Sequence, residues 1–273
     1  MRAWVNGQLL DRANAPAVAV TDHGFTVGDG VFEAVKVVDG QPFALTRHLV
    51  RLARSAKGLG LPAFDEAEVR RGVAAVLDGQ ELPLGRIRIT YTGGEAPLGS
   101  GRGSNPPTLV VAAGAMEAWE GPTSVVTVPW PRNERGALAG LKTTSYGENV
   151  VALAYAAERH ASEAVFANIA GNLCEGTGSN VFYVLDGELR TPTLASGCLA
   201  GISRALVLEW YGGREVDEPV DVLGEASEVF LVSTTRDVQA VRACDGRELP
   251  APGPVTREVA RTWQRKEREN LDP

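Results

Sequence analysis

The sequence predicts a mixed α+β (α/β) chain of two domains, and three observations carry that expectation. Asn-Gly and Asp-Gly pairs flanked by β-prone runs occur at Asn6-Gly7, Asp39-Gly40 and Asp186-Gly187, the dipeptides that close two-residue hairpins. Between the hairpins lie segments whose apolar residues recur at helical spacing. Around residues 116–124, "MEAWEGPTS", the pattern breaks after a strand of buried type and restarts with "SVVTVPW". The expected domains are residues 1–118, a smaller N-terminal α/β domain, and residues 123–273, a larger C-terminal one.

Residues 2–45 read as a β-meander, with "AWVNGQLL" and "VFEAVKVVDGQPFAL" each turning at a glycine. "TRHLVRLARSAKGLG" reads as an amphipathic helix, with Thr46 as N-cap, Leu49, Leu52, Ala53 and Ala56 on its apolar side, and Gly58 and Gly60 as its end. "FDEAEVRRGVAAVLDG" is a second helix, capped by Asp65 and stopped at Gly79. Strands follow at "RIRIT" and "TLVVAAG", separated by the Gly- and Pro-rich loop "YTGGEAPLGSGRGSNPP". The second half carries a helix over Glu148–Ala161, the hairpin "SNVFYVLDGELRTP", a helix "SRALVLEWYGG" and a strand "EVFLVSTT". The charged tail "RKERENLDP" reads as frayed.

Composition excludes several classes of function. A net charge of −7 argues against a nucleic-acid footprint, which would need a clustered basic face. No segment approaches the roughly 20 apolar residues of a membrane span, so a soluble, cytoplasmic protein without a membrane partner is expected. Cys174, Cys198 and Cys244 are an odd number and read as reduced thiols. His23, His48 and His160 show no ligand spacing, so no metal site is expected.

Chemistry gathers around one lysine. Of 27 basic residues only Lys36, Lys57, Lys142 and Lys266 are lysines, so arginine serves surface charge, and Lys142 in "GLKTTSYGENVV" needs a separate account. A lysine in an apolar setting loses hydration and becomes a nucleophile or proton shuttle, whereas a snorkelling lysine only packs its stem. In "SGCLAGISRALVLEW", Gly201 frees the backbone and Ile202-Ser203 open a helix whose unpaired N–H groups suit a phosphate, or Ser203 is a plain N-cap. Ser233, Thr234 and Thr235 end a strand as a possible phosphate cup or as turn formers. Glu175 precedes a Gly-Thr-Gly-Ser-Asn run, where a carboxylate either faces a cationic ring nitrogen or is solvated. Arg51 shares a helical face with Arg47 and Arg54. Neither "GDGVFEAV" nor "GSGRGSNPP" completes a dinucleotide or P-loop fingerprint.

Taken together, "DHGFTVGDGVFEAVKV", "RHLVRLARSA", "LKTTSYGENVVALAYAAERHASEAVF", "CEGTGSNVF", "LAGISRAL" and "VFLVSTTRDVQAV" resemble, in order, the class IV aminotransferases, the fold-type IV pyridoxal-phosphate enzymes. The resemblance implies the D-amino acid aminotransferase-like fold, pyridoxal 5'-phosphate as cofactor, a small-molecule amine as substrate and a homodimer. It implies that Lys142 forms the Schiff base with the cofactor aldehyde and then moves protons. Glu175 pairs with the pyridine nitrogen, and Arg51, Ile202, Ser203 and Thr234 hold the phosphate. Phe32 and Arg102 are the candidates for substrate discrimination.

The wording of "VTVPWPRNERGAL" and "LKTTSYGENVV" is most similar to sequences assigned as 4-amino-4-deoxychorismate lyase, which forms 4-aminobenzoate and pyruvate. A transaminase acting on D-amino or branched-chain amino acids is the alternative, and a non-catalytic relative that keeps the fold is a third. Ala34 replaces a threonine that lyase members place near the cofactor, and Tyr91 stands where some carry a more polar residue. Both weaken the lyase reading and leave the cofactor untouched.

Overall fold

The computed structural model describes all 273 residues, and its chain divides into two compact units. The first comprises Met1–Ala118, Leu141–Ser145 and Leu271–Pro273, so the segment that carries Lys142 and the last three residues belong with the N-terminal part of the chain. The second comprises Trp119–Gly140 and Tyr146–Asn270.

The first unit contains β1 (Arg2–Val5), β2 (Gln8–Leu9), α1 (His23–Thr26), β3 (Gly30–Val38), β4 (Gln41–Pro42), α2 (Leu45–Leu59), α3 (Glu66–Leu77), β5 (Leu84–Thr92) and β6 (Thr108–Ala115). Its six-stranded sheet runs β2-β1-β6-β5-β3-β4, antiparallel throughout. Asn6-Gly7 and Asp39-Gly40 all take positive φ, as type I′ hairpin turns demand. Alternation along β3 aims Val31, Val35 and Val37 at the helices, where Leu45, Leu49, Leu52 and Ala56 of α2 meet them. Leu52 is wholly buried, and truncating such a leucine to alanine costs about 2–5 kcal/mol.

Two expectations about α2 and the tail are corrected. The N-cap is Ala44, in the left-handed region at φ 54°, and it has no side-chain bond to offer. Thr46 lies inside the first turn, where its N–H and Oγ1 both donate to the Asp272 carboxylate, at 2.9 and 2.6 Å. The tail is not frayed: the Leu271 carbonyl accepts from Ala44 N–H at 2.6 Å, and Arg47 Nε donates to the Pro273 carbonyl at 2.7 Å. A remote carboxylate thus serves the helix start that the local sequence leaves open. Asp65 caps α3 as expected, accepting from Ala67 N–H at 2.9 Å.

The second unit contains β7 (Thr123–Thr127), α4 (Gly147–Ala157), β8 (Glu163–Ala167), β9 (Leu173–Gly176), β10 (Asn180–Leu185), β11 (Glu188–Thr191), α5 (Ile202–Trp210), β12 (Arg214–Glu215), α6 (Val222–Glu225), β13 (Glu228–Ser233), β14 (Asp237–Cys244), β15 (Arg247–Glu248) and α7 (Pro254–Glu269). Its sheet runs β12-β11-β10-β13-β14-β7-β8-β9, with β15 added on β14. One core joins Val125, Val165, Leu173, Val181, Tyr183, Leu231 and Val241; another packs Ala152 and Ala156 of α4 on Val126, Ala164 and Phe166. Helix α4 stops at Ala157, short of the expected Ala161, because His160 turns back at φ 58°.

Helix α7 is absent from the sequence-based expectations. Only Thr256, Val259 and Trp263 are buried along it, too thin a stripe to stand out among its charges. Its start is capped from a strand: Glu228 accepts from Val255 N–H, Thr256 N–H and Thr256 Oγ1 at 2.7–3.0 Å. All three cysteines are free and buried, and no helix is long and apolar enough to cross a membrane.

Candidate active site

In the first unit, Lys142 lies on a strand-like segment running along the start of β3. Its carbonyl accepts from Phe32 N–H at 3.0 Å, its own N–H donates to Ser55 Oγ of α2 at 3.1 Å, and Thr144 N–H donates to the Gly30 carbonyl at 2.8 Å. The two threonines that follow the lysine therefore anchor it to β3. The Lys142 ammonium stands 4.4 Å from the centre of the Phe32 ring, and the Arg88 guanidinium stands 3.8 Å from the same ring. Both are cation–π contacts. Phe32 is buried and Arg88 is exposed, on the neighbouring strand β5.

One residue along β3, the opposite alternation turns Glu33 toward α2. Glu33 accepts from Arg51 Nε and NH2 at 2.8 and 2.7 Å and contacts His48 Nδ1 at 2.7 Å, all buried. Burial alone would raise the Glu33 pKa, but the Arg51 charge and the two residues' hydrogen bonds outweigh it and bring it down to about 2. Burial pushes His48 down, helped by the Arg51 and Lys142 charges and opposed by Glu33. Arg51, expected at the phosphate, is thus oriented by a carboxylate the sequence reading did not single out.

Arg102, the other candidate for substrate discrimination, is engaged by groups of the protein itself. Its Nε and NH2 grip Asp29 at 2.7 and 2.6 Å, while NH1 and NH2 donate to the carbonyls of Gly60 and Leu59 at 2.6 and 2.7 Å. The guanidinium is a strut that ties the 93–107 loop to the end of α2. Asp29 also holds His23 Nδ1 at 2.9 Å, and His23 Nε2 meets the Gly99 carbonyl at 3.0 Å.

In the second unit, Glu175 lies on β9, opposite Phe166 in register. Its Oε2 accepts from Leu199 N–H at 2.9 Å, and its Oε1 is 3.4 Å from Arg132 Nε. Arg132 was missed by sequence reasoning. Its guanidinium lies 4.1 Å over the Phe166 ring, NH1 donates to Asn149 Oδ1 at 3.0 Å, and Nε is buried without a hydrogen-bond partner. The available signal was "PWPRN", where Pro129 and Pro131 stiffen the chain just ahead of the arginine.

Leu199 also brings Glu175 close to the start of α5. Gly201 is the N-cap, so Ser203 is not; Ile202 and Ser203 are buried in the first turn. A Cβ on Gly201 would come within 1.9 Å of Asn180 Oδ1, so only glycine fits there. Thr234 follows β13 in the turn closed by the Ser233–Asp237 pair, half-buried.

These groups fit pyridoxal phosphate chemically. An amine on an aromatic face suits an aldehyde, a carboxylate beside an arginine suits a protonated ring nitrogen, and the start of a nine-residue helix capped by glycine, with hydroxyls nearby, suits a phosphate.

The amino-transferase class IV family profile matches residues 30–244, and the chain belongs to that family of pyridoxal-phosphate-dependent enzymes. It is 30% identical to a D-alanine aminotransferase of Bacillus licheniformis, covering 97% of this chain and 96% of the relative. The crystal structure of a branched-chain aminotransferase from Thermoproteus uzoniensis with norvaline superposes with a TM-score of 0.90 at 28% identity, over 97% of this chain and 94% of that one. The pyridoxal-phosphate-bound form of a hypothetical aminotransferase from Mycobacterium tuberculosis superposes with a TM-score of 0.87 at 26% identity, over 97% and 98% of the two chains.

Proposed function

We propose that this enzyme is a transaminase that moves an amino group between an α-amino acid and a 2-oxo acid. The observation that carries the reading is the Phe32 ring flanked by two cations, the Lys142 ammonium at 4.4 Å and the Arg88 guanidinium at 3.8 Å. An exposed arginine beside the reactive lysine is suited to a substrate carboxylate. The D-alanine and branched-chain aminotransferase names of the relatives support the same reaction class. Ala34, where lyase members place threonine, makes 4-amino-4-deoxychorismate lyase the less supported reading.

Lys142 would hold the cofactor through Nζ and, once displaced by the amino donor, would serve as the base that carries the donor's α-proton. Bound pyridoxal phosphate supplies the electron-accepting ring. Glu175, paired with Arg132 at 3.4 Å, would face the ring nitrogen and favour its protonated form. Arg51, the Ile202 and Ser203 amides and Thr234 bind the phosphate, and Phe32 and Arg88 orient the substrate. The working form is a homodimer in the cytoplasm; Val150 and Val151 of α4, 63% and 54% exposed, are apolar surface for a second copy to cover, and sedimentation equilibrium reads its mass.

The test incubates the cofactor-loaded enzyme and Lys142→Ala with 2-oxoglutarate and, separately, D-alanine, L-valine and L-leucine, and follows both products by chromatography. A parallel reaction with 4-amino-4-deoxychorismate follows 4-aminobenzoate and pyruvate. Amino transfer by the wild type alone supports the reading. Release of 4-aminobenzoate without amino transfer replaces it with the lyase.

A further inference from the structure

Glu163, at the start of β8, is 1% exposed, and the chemistry above does not use it. Its carboxylate is the meeting point of two loops. Oε1 accepts from Thr177 N–H at 3.0 Å, from Thr177 Oγ1 and from its neighbour Ala164 N–H at 3.1 Å; Oε2 accepts from Ser179 Oγ at 3.1 Å and from Arg236 NH2 at 3.4 Å. Thr177 and Ser179 form the turn that directly follows Glu175, closed by Gly176 N–H to the Ser179 carbonyl at 2.8 Å. Arg236 comes two residues after Thr234. It is itself buried, lies 3.9 Å over the Trp119 ring, and donates to Gln239 Oε1 and the Ser162 carbonyl.

The turn has no slack. A Cβ on Gly176 would stand 2.4 Å from Ser179 Oγ and 3.3 Å from the Glu163 carboxyl carbon. From its far side, Asn149 Nδ2 donates to the Thr177 carbonyl, and Asn149 Oδ1 accepts from Arg132, the partner of Glu175. A continuous polar chain therefore runs from Arg132 through Asn149, Thr177 and Glu163 to Arg236, joining the carboxylate assigned to the ring nitrogen with the hydroxyl assigned to the phosphate.

We propose that Glu163 is a positioning residue that sets the spacing of Glu175 and Thr234, and thereby the fit of the second unit to both ends of the cofactor. The inference rests on the site reading above. Two buried loops held by one carboxylate keep their register only while both sets of donors are satisfied, since a buried donor left without its acceptor drives a local rearrangement. Glu163→Gln separates the two arms. The amide oxygen still accepts from Thr177, and the NH2 group donates to Ser179 Oγ where the carboxylate accepted from it, but that NH2 now faces the Arg236 guanidinium with no acceptor to offer.

The experiment measures dissociation constants of the apoenzyme for pyridoxal 5'-phosphate and for pyridoxal, which lacks the phosphate, alongside the unfolding midpoint of the apoenzyme. Glu163→Gln and Arg236→Met weaken pyridoxal 5'-phosphate about tenfold while pyridoxal changes less than twofold. Glu163→Ala, where it folds, weakens both. Unchanged pyridoxal 5'-phosphate affinity in Glu163→Gln overturns the inference, and so does an equal loss of both ligands with a lowered apo midpoint, which marks a merely structural role. A wild-type apoenzyme that binds neither ligand overturns the site reading itself, and the inference with it.

Discussion

Glu33 and Arg51 face each other in a two-point ion pair, Nε to Oε1 at 2.8 Å and NH2 to Oε2 at 2.7 Å, with both side chains out of water. Because the carboxyl titrates near 2 in the fold against 4.5 for an unperturbed glutamate, its contribution to stability is full above about pH 4.5 and disappears as pH falls toward 2. The shift corresponds to roughly 3 kcal/mol. Glu33→Gln removes that acid-labile part and strands a buried guanidinium, lowering stability at pH 7 by about 3–5 kcal/mol. Denaturant titrations from pH 7 to 2 decide it: an unchanged acid slope in the variant sinks the assignment.

The C-terminal carboxylate gives a second prediction. Asp272 serves two donors of Thr46 at the start of α2, and α2 carries Arg51. Asp272→Ala lowers unfolding stability by about 1 kcal/mol, as loss of a helix cap does. Removing residues 271–273 costs more, because Ala44 N–H and Arg47 lose their acceptors too. Equal stability of the shortened and full chains in urea would show the tail to be incidental.

What the sequence made legible follows from locality. The Asn-Gly and Asp-Gly hairpins, the Asp65 cap and the Leu49, Leu52 and Ala56 face of α2 are set by residues close together in the chain and match the reading of the sequence, whereas Ala53, placed on that face, is exposed. The cap of α7 by Glu228, the cap of α2 by Asp272 and the pairing of Arg102 with Asp29 join residues 28, 226 and 73 positions apart, which no periodicity reports. Lys142 and Glu175 stood out because their motifs are contiguous. Glu33 and Arg132 did not, since a charge on a strand or after a proline reads as solvated until the fold closes around it. Thr46 misled for the same reason: its local pattern was that of a cap, and a distant carboxylate took the role.

The loop over residues 93–107 yields a pH-dependent prediction. The hydrogen bond to Asp29 raises the His23 pKa, the Gly99 carbonyl adds to it, and Arg102 leads in lowering Asp29. A raised histidine contributes fully below its unfolded pKa of 6.5, and the contribution is lost as pH rises through the folded value. Amide exchange across residues 95–103, corrected for its intrinsic pH dependence, is therefore faster at pH 8.5 than at pH 6. Arg102→Met accelerates it at both, while amino transfer keeps its substrate KM within about twofold, since that arginine is engaged by the protein itself. A large rise in KM would return Arg102 to the substrate.

Arg88 carries the last prediction. On β5 it sits opposite Ala34 of β3, and its guanidinium covers the face of Phe32, whose ring also meets the Lys142 ammonium. The stack holds the planar cation flat on the ring while Nε donates to Thr90 Oγ1 at 3.3 Å, and a charge fixed in this way beside Lys142 is suited to a carboxylate. Both the amino acid and the 2-oxo acid carry that group, and both halves of the reaction depend on it equally. Arg88→Met keeps the apolar cover of Phe32 and removes the charge. KM for donor and acceptor rises about 10–100-fold, the range of one charge-assisted interaction, while cofactor affinity is unchanged. Arg88→Lys recovers only part of the loss, because an ammonium neither stacks flat on the ring nor offers two parallel donors. If instead KM holds for both substrates and only kcat falls, Arg88 acts on the lysine through the shared ring and not on the substrate carboxylate.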